Sequence, residues 1–210
     1  MAYPSVNAPN GLQPINRFDG MPYAGATQQL PIASTYNTAI FNGDIVMVTA
    51  GGTIKKSAVT TDATTDKANN STYGVFVGVQ YVNSQGQTVQ AQYYPGNAAA
   101  SSAIAYVVMD PVAEFKTAIT FSGNATVTTV NGSVVGTNLA VRQGTGSTLN
   151  GDSGISAVVA TNGTGNATAL PLRVVAVVPE TATNATSFTE VIVKFNNPQI
   201  LSTTGNDYVA

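Results

Sequence analysis

From Thr38 onward the apolar residues come in short blocks set apart by turn residues, and their spacing is that of strands. Asp44-Ile45-Val46-Met47-Val48-Thr49 runs into the turn signal Gly51-Gly52, and Thr53-Ile54-Lys55-Lys56 follows. Tyr73-Gly74-Val75-Phe76-Val77-Gly78-Val79-Gln80-Tyr81-Val82 is β-branched and aromatic. After the turn Asn83-Ser84-Gln85-Gly86, residues Gln87 to Tyr94 alternate polar and apolar, the mark of a strand with one buried face. These two blocks predict a hairpin. Ala103 to Met109 is almost continuously apolar, as a strand covered on both faces would be. Asp110-Pro111 then turns the chain into Val112-Ala113-Glu114-Phe115-Lys116. Gly132, Gly136, Gly144, Gly146, Gly151 and Gly154 loosen the stretch around the short apolar segment Leu139-Ala140-Val141. Ile155–Ala160, Ala169–Val178 and Phe188–Phe195 supply three more strands. No segment carries the i, i+3, i+4 apolar stripe of a helix. The pattern predicts an all-β protein, a sandwich or barrel body of short strands.

Residues 1–33 read differently. Pro4, Pro9, Pro14, Pro22 and Pro31 are half of the chain's ten prolines, with Gly11, Gly20 and Gly25 between them. Each proline fixes its own φ and pushes the preceding residue toward extended geometry. The segment also carries Leu12, Ile15, Phe18, Met21, Tyr23, Leu30 and Ile32. An extended N-terminal arm with spaced apolar anchors is expected to dock on another surface, through Pro9, Leu12, Ile15, Arg17, Phe18, Tyr23 and Leu30. On that reading its removal leaves a folded body. The alternative is that it folds back along its own domain. The organisation expected is an arm over 1–33 and a β-rich body over 34–210, the latter divisible into two β subdomains meeting near 95–102.

Composition narrows the function. Only 9% of the 210 residues are charged, against about a quarter in an average soluble domain. The surface must therefore be built mostly from Thr, Asn, Ser, Gln and Gly. A hydrophobic fraction of 43% separates the chain from disordered sequences. A net charge of −2 and a pI near 4.8 oppose nucleic-acid binding, which needs a basic footprint. Lys55-Lys56, the tightest basic pair, reads as a solvated strand end. The start Met1-Ala2-Tyr3-Pro4 has neither the basic nor the apolar region of a signal peptide, and no apolar run is long enough for a membrane helix. Synthesis in a cytoplasm and no membrane partner are expected.

The chain has no His and no Cys. Thiolate nucleophiles, zinc–sulfur sites and disulfides are therefore excluded. Gly151-Asp152-Ser153-Gly154 is similar to the string around a serine-protease nucleophile, but that chemistry needs a histidine to carry the proton. A lysine base would need a buried amine with a lowered pKa, so a turn is expected there. Asp62 with Asp66, and Asp110 with Glu114, lack the ligand spacing of a calcium loop. Gly144-Thr145-Gly146 and Gly163-Thr164-Gly165 lack the lysine and helix of a phosphate loop. No enzyme activity, cofactor, catalytic residue or metal site is expected.

Several blocks carry a family likeness: Asn7-Ala8-Pro9-Asn10-Gly11-Leu12-Gln13-Pro14-Ile15, Gly20-Met21-Pro22-Tyr23-Ala24-Gly25-Ala26-Thr27 and Phe41-Asn42-Gly43-Asp44-Ile45-Val46. Gly74-Val75-Phe76-Val77-Gly78-Val79, Ala105-Tyr106-Val107-Val108-Met109-Asp110-Pro111, Gly136-Thr137-Asn138-Leu139 and Leu170-Pro171-Leu172-Arg173-Val174 extend it over most of the chain. In these blocks the sequence resembles head decoration (cement) proteins of tailed bacteriophages, the marine group especially. The resemblance implies a structural virion protein that binds the outer capsid surface, with the major capsid protein as partner and self-association into dimers or trimers. The chain departs from the family pattern around Asp110-Pro111, where the family is more acidic, so no contact is carried over to Asp110. The alternative function is a carbohydrate- or host-binding module of a tail fibre or adhesin, with Tyr93-Tyr94 available for sugar stacking.

Overall fold

The computed structural model describes residues 9–57, 72–96, 100–121, 130, 132–159, 170–181 and 188–196. The Asp62/Asp66 pair, the whole polar stretch from Thr60 to Asn70 and Gly163-Thr164-Gly165 lie outside them. The protein is all-β. Its strands are β1 (Gln13–Arg17), β2 (Gln28–Pro31), β3 (Ile45–Val48), β4 (Ile54–Lys56), β5 (Gly74–Asn83) and β6 (Thr88–Ala91). Then come β7 (Ala100–Val108), β8 (Ala113–Phe121), β9 (Asn138–Arg142), β10 (Ser156–Val159), β11 (Leu172–Val177) and β12 (Glu190–Phe195).

The strands form two six-stranded sheets. The first has the order β1-β8-β10-β9-β11-β12, and β12 returns to pair with β8, so a five-strand barrel closes with β1 on its flank. All its pairings are antiparallel except β8 with β10. Closure removes the free edges that invite aggregation. The second sheet has the order β2-β7-β5-β3-β4, with β6 also on β5. Ile32, just past β2, bridges to Ile54 of β4 and draws the two ends of that sheet together. The expected hairpin is there: Val79, Gln80, Tyr81 and Val82 face Ala91, Gln90, Val89 and Thr88. The chain passes from the second sheet to the first at Asp110-Pro111, between β7 and β8.

Alternation decides which side chains go inside. In β12, Val191, Val193 and Phe195 are buried while Glu190, Ile192 and Lys194 are half-buried between them. The barrel core gathers Phe115, Ile119, Leu139, Val141, Ile155, Leu172, Val191 and Val193, with Phe115 and Phe195 in a tilted ring contact. Ile45, Val75 and Val108 of the second sheet join the same cluster, so the two sheets share one core. A second cluster, with Phe76, Ile40, Ile54 and Tyr94, fills the interior of the second sheet. Each such side chain contributes about 1.5–3 kcal/mol relative to exposure.

From Pro9 on, the N-terminal segment is stitched along the body. β1 pairs with β8 and β2 with β7. Pro14 is accommodated beside a register shift between Pro14 and Asn16, a place where a missing N–H costs the ladder little. The two sheets meet where Gly11, just ahead of β1, crosses Gly43, just ahead of β3, both with positive φ (74° and 91°). Leu12 N–H donates to Gly43 O (3.1 Å) and Gly43 N–H to Phe76 O (2.8 Å). A Cβ on Gly43 would lie 3.0 Å from Gly11 Cα. Gly43→Ala therefore combines a left-handed backbone with a steric clash, and should cost about 1–3 kcal/mol, read as a lowered urea midpoint at unchanged slope.

Candidate docking surface on the Arg17–Met21 turn

β1 ends in a tight turn. Gly20 N–H donates to Arg17 O (3.0 Å) and Arg17 N–H to Met21 O (2.9 Å), with Gly20 at φ 83°, a conformation that suits glycine. Asp19 Oδ1 accepts from Met21 N–H (3.2 Å), a local closure typical of Asp in turns. Phe18 N–H donates to Val112 O (2.8 Å), which ties the turn to the Asp110–Val112 corner between β7 and β8. Asp110 in turn accepts from Val112 N–H (3.0 Å). The backbone here is held from three sides.

The side chains it presents are apolar and charged in close company. Phe18 is 57% and Met21 58% exposed, two of the few large apolar groups open to solvent among the described residues. Lys194 Nζ of β12 stands 4.1 Å from the centre of the Phe18 ring, a contact worth about 0.5–1 kcal/mol at an exposed site. Arg17 lies 3.0 Å from Asp110 and 3.3 Å from Asp19. Arg17 Nε makes no well-directed hydrogen bond, so these contacts act as ion pairs and fix the guanidinium more than they stabilise the fold. Tyr23 closes the patch, its hydroxyl donating to Ala26 O (2.7 Å). Partial burial, and secondarily the Asp110 carboxylate, push its phenol pKa up.

The residues expected to anchor a partner thus divide. Phe18, Arg17 and Tyr23 are brought together at this turn. Ile15 is half-buried within β1 and Leu30 half-buried within β2. Pro9 lies half-buried ahead of the Gly11 crossing. Leu12 is a correction: it is fully buried in the shared core and unavailable to a partner. Met21 and Lys194 belong to the patch and were not among the expected anchors. Met21 stood in the same apolar series, whereas nothing local in the sequence announces that Lys194 will meet Phe18.

No protein-family model, curated protein or solved structure matches the chain.

Two other sequence features find structural uses. Ser153 is 1% exposed; its hydroxyl donates to Asp44 Oδ1 (2.6 Å) and accepts from Ile155 N–H (3.0 Å). Its oxygen is engaged in holding the two sheets together. Of the Tyr93-Tyr94 pair, Tyr94 is buried and donates to Tyr36 O (2.9 Å), and Tyr93 stacks on Phe41 with centroids 5.5 Å apart. Tyr94 is thereby taken into the interior of the second sheet, and Tyr93 has one ring face on Phe41.

Proposed function

We propose that the protein is a capsid decoration protein, a structural component that binds the outside of a phage head and stabilises it. The observation that carries this reading is the Arg17–Met21 turn, where two large apolar side chains stand exposed on a backbone fixed by hydrogen bonds. Two apolar side chains on a fixed backbone, rimmed by Arg17, Asp19 and Lys194, have the composition of an interface centre, and the backbone loses little conformational freedom when they dock. The family resemblance supplies the partner, the major capsid protein. A body of low charge suits a protein packed beside many copies of itself, since neighbours do not repel. Each contact is small; repetition over a shell supplies the strength.

The test is co-sedimentation with undecorated heads. Phe18→Asp combined with Met21→Asp should weaken binding by about 30-fold or more, the equivalent of ~2 kcal/mol for a central anchor. The melting curve should stay close to that of the parent, because both side chains are exposed. Undiminished binding by the double variant would remove the turn as the anchor.

A further inference from the structure

β6 is an open edge. Among the described residues it pairs with β5 and with no other strand. The hairpin behind it is rigid: Asn83 Oδ1 accepts from both Gln85 N–H (3.0 Å) and Gln87 N–H (2.9 Å), and Asn83 N–H donates to Gln87 O (2.9 Å). That last bond sets the antiparallel alternation. Gln87, Val89 and Ala91 turn their backbone groups toward β5, so Thr88 and Gln90 turn theirs outward, as a template for another strand.

The edge also lacks the usual guards. Natural edges are protected by lysines, prolines or inward charges. From Ala68 to Met109, which spans β5, β6 and β7, the chain contains no Asp, Glu, Lys or Arg at all. Among the described residues, charge is concentrated on the first sheet and its loops; Asp44, Lys55 and Lys56 are the exceptions. An uncharged edge is one that can meet its own copy without facing like charges across the pair.

We infer that β6 pairs antiparallel with β6 of a second copy about a two-fold axis through Gln90. Gln90 then faces Gln90 of the other copy, Thr88 faces Gln92, and Val89 faces Ala91. The exposure pattern of β6 fits that register: Thr88 and Gln90 are exposed, Val89 and Ala91 half-buried. The two half-buried residues fall on one face and extend the apolar interior across the axis, while the glutamine amides meet on the other face. A groove of about 310 Å³ lined by Gly78, Gln90, Ala91, Gln92 and Tyr106 opens beside the same edge and leaves room for a partner side chain. A four-residue edge buries less than the roughly 1,200 Å² of a stable complex. The pairing is therefore weak in dilute solution and gains strength where copies are crowded on one surface. It does not depend on the capsid reading, because it is measured on the free protein.

The chain has no cysteine, so a single introduced one reports proximity without ambiguity. Facing residues in an antiparallel pair have Cα atoms about 5.5 Å apart, within disulfide reach. In a thiol redox buffer, Gln90→Cys should form a disulfide dimer on the order of ten times faster than Glu180→Cys, an exposed control just past β11 of the first sheet. Adding Thr88→Pro removes an outward N–H and should return the rate to the control level with the melting curve retained. Gln92→Pro, outside the β5–β6 ladder, does the same should Thr88→Pro melt early. Crosslinking of Gln90→Cys at the control rate would overturn the inference. So would crosslinking that the prolines leave unchanged.

Discussion

A chain lacking residues 1–30 will show no cooperative unfolding transition. The segment supplies β1 to the flank of the barrel, most of β2 to the second sheet, and Leu12 to the core between them. Leu12 is fully buried, and truncating such a leucine to alanine alone costs about 2–5 kcal/mol. Gly11 N–H donates to Ile155 O (3.2 Å) ahead of β10 and Leu12 N–H to Gly43 O (3.1 Å) ahead of β3, so one bond within the first sheet's side and one between the sheets go with it. Loss of β2 also bares the edge of β7, whose Ala103, Ala105 and Val107 are core residues. A domain of this kind has only about 5–15 kcal/mol of net stability, less than these losses together. Far-ultraviolet circular dichroism and thermal melting of the truncated chain are the measurements. A sharp melt with native sheet signal would show that the body stands alone. Leu12→Ala in the full chain is the milder companion: it should fold, with urea stability lowered by about 2–5 kcal/mol.

The same residues show where local pattern is sufficient and where it stops. The β5–β6 hairpin was legible because its two strands are neighbours in sequence, joined by a turn that Asn83 and Gly86 dictate. β12 was legible from the alternation of Val191, Val193 and Phe195. Strand ends were less so: alternation continues through Tyr93-Tyr94, but β6 stops at Ala91 and Tyr94 bridges instead to Ile40. β1 and β2 were hidden because their prolines speak against a ladder, and their partners lie far along the chain. Gln13 meets Lys116 and Leu30 meets Ala105. Leu12 looked like the anchors beside it in sequence. What separates it from Phe18 is that Gly11 carries it inward under Gly43, while the turn after β1 carries Phe18 outward. The exposed half of the candidate surface was therefore present in composition, and its geometry was not.

The largest single-residue loss should come from Asp44. Its carboxylate is fully buried at the head of β3 and serves three partners. Oδ2 accepts from Phe41 N–H (2.8 Å) and pairs with Lys56 Nζ (2.9 Å), while Oδ1 accepts from the Ser153 hydroxyl (2.6 Å). Ser153 lies in the loop before β10, so this one side chain bonds the second sheet to the first. Asp44→Ala strands a backbone N–H, a buried hydroxyl and a lysine whose side chain is only 17% exposed. Removing one partner of such a pair costs about 3–5 kcal/mol, because the remaining charge stays desolvated. Ser153→Ala removes a hydroxyl and leaves the ion pair, so about 1–3 kcal/mol is expected. Lys56 also covers the Phe41 ring, 5.9 Å from its centre. Lys56→Met keeps that cover and isolates the charge, and a cycle of Asp44→Asn, Lys56→Met and the pair of substitutions measures their coupling. Urea unfolding should rank Asp44→Ala well below Ser153→Ala. Equal losses for the two would mean that the carboxylate stabilises only through the serine, and that the lysine contributes nothing to the junction.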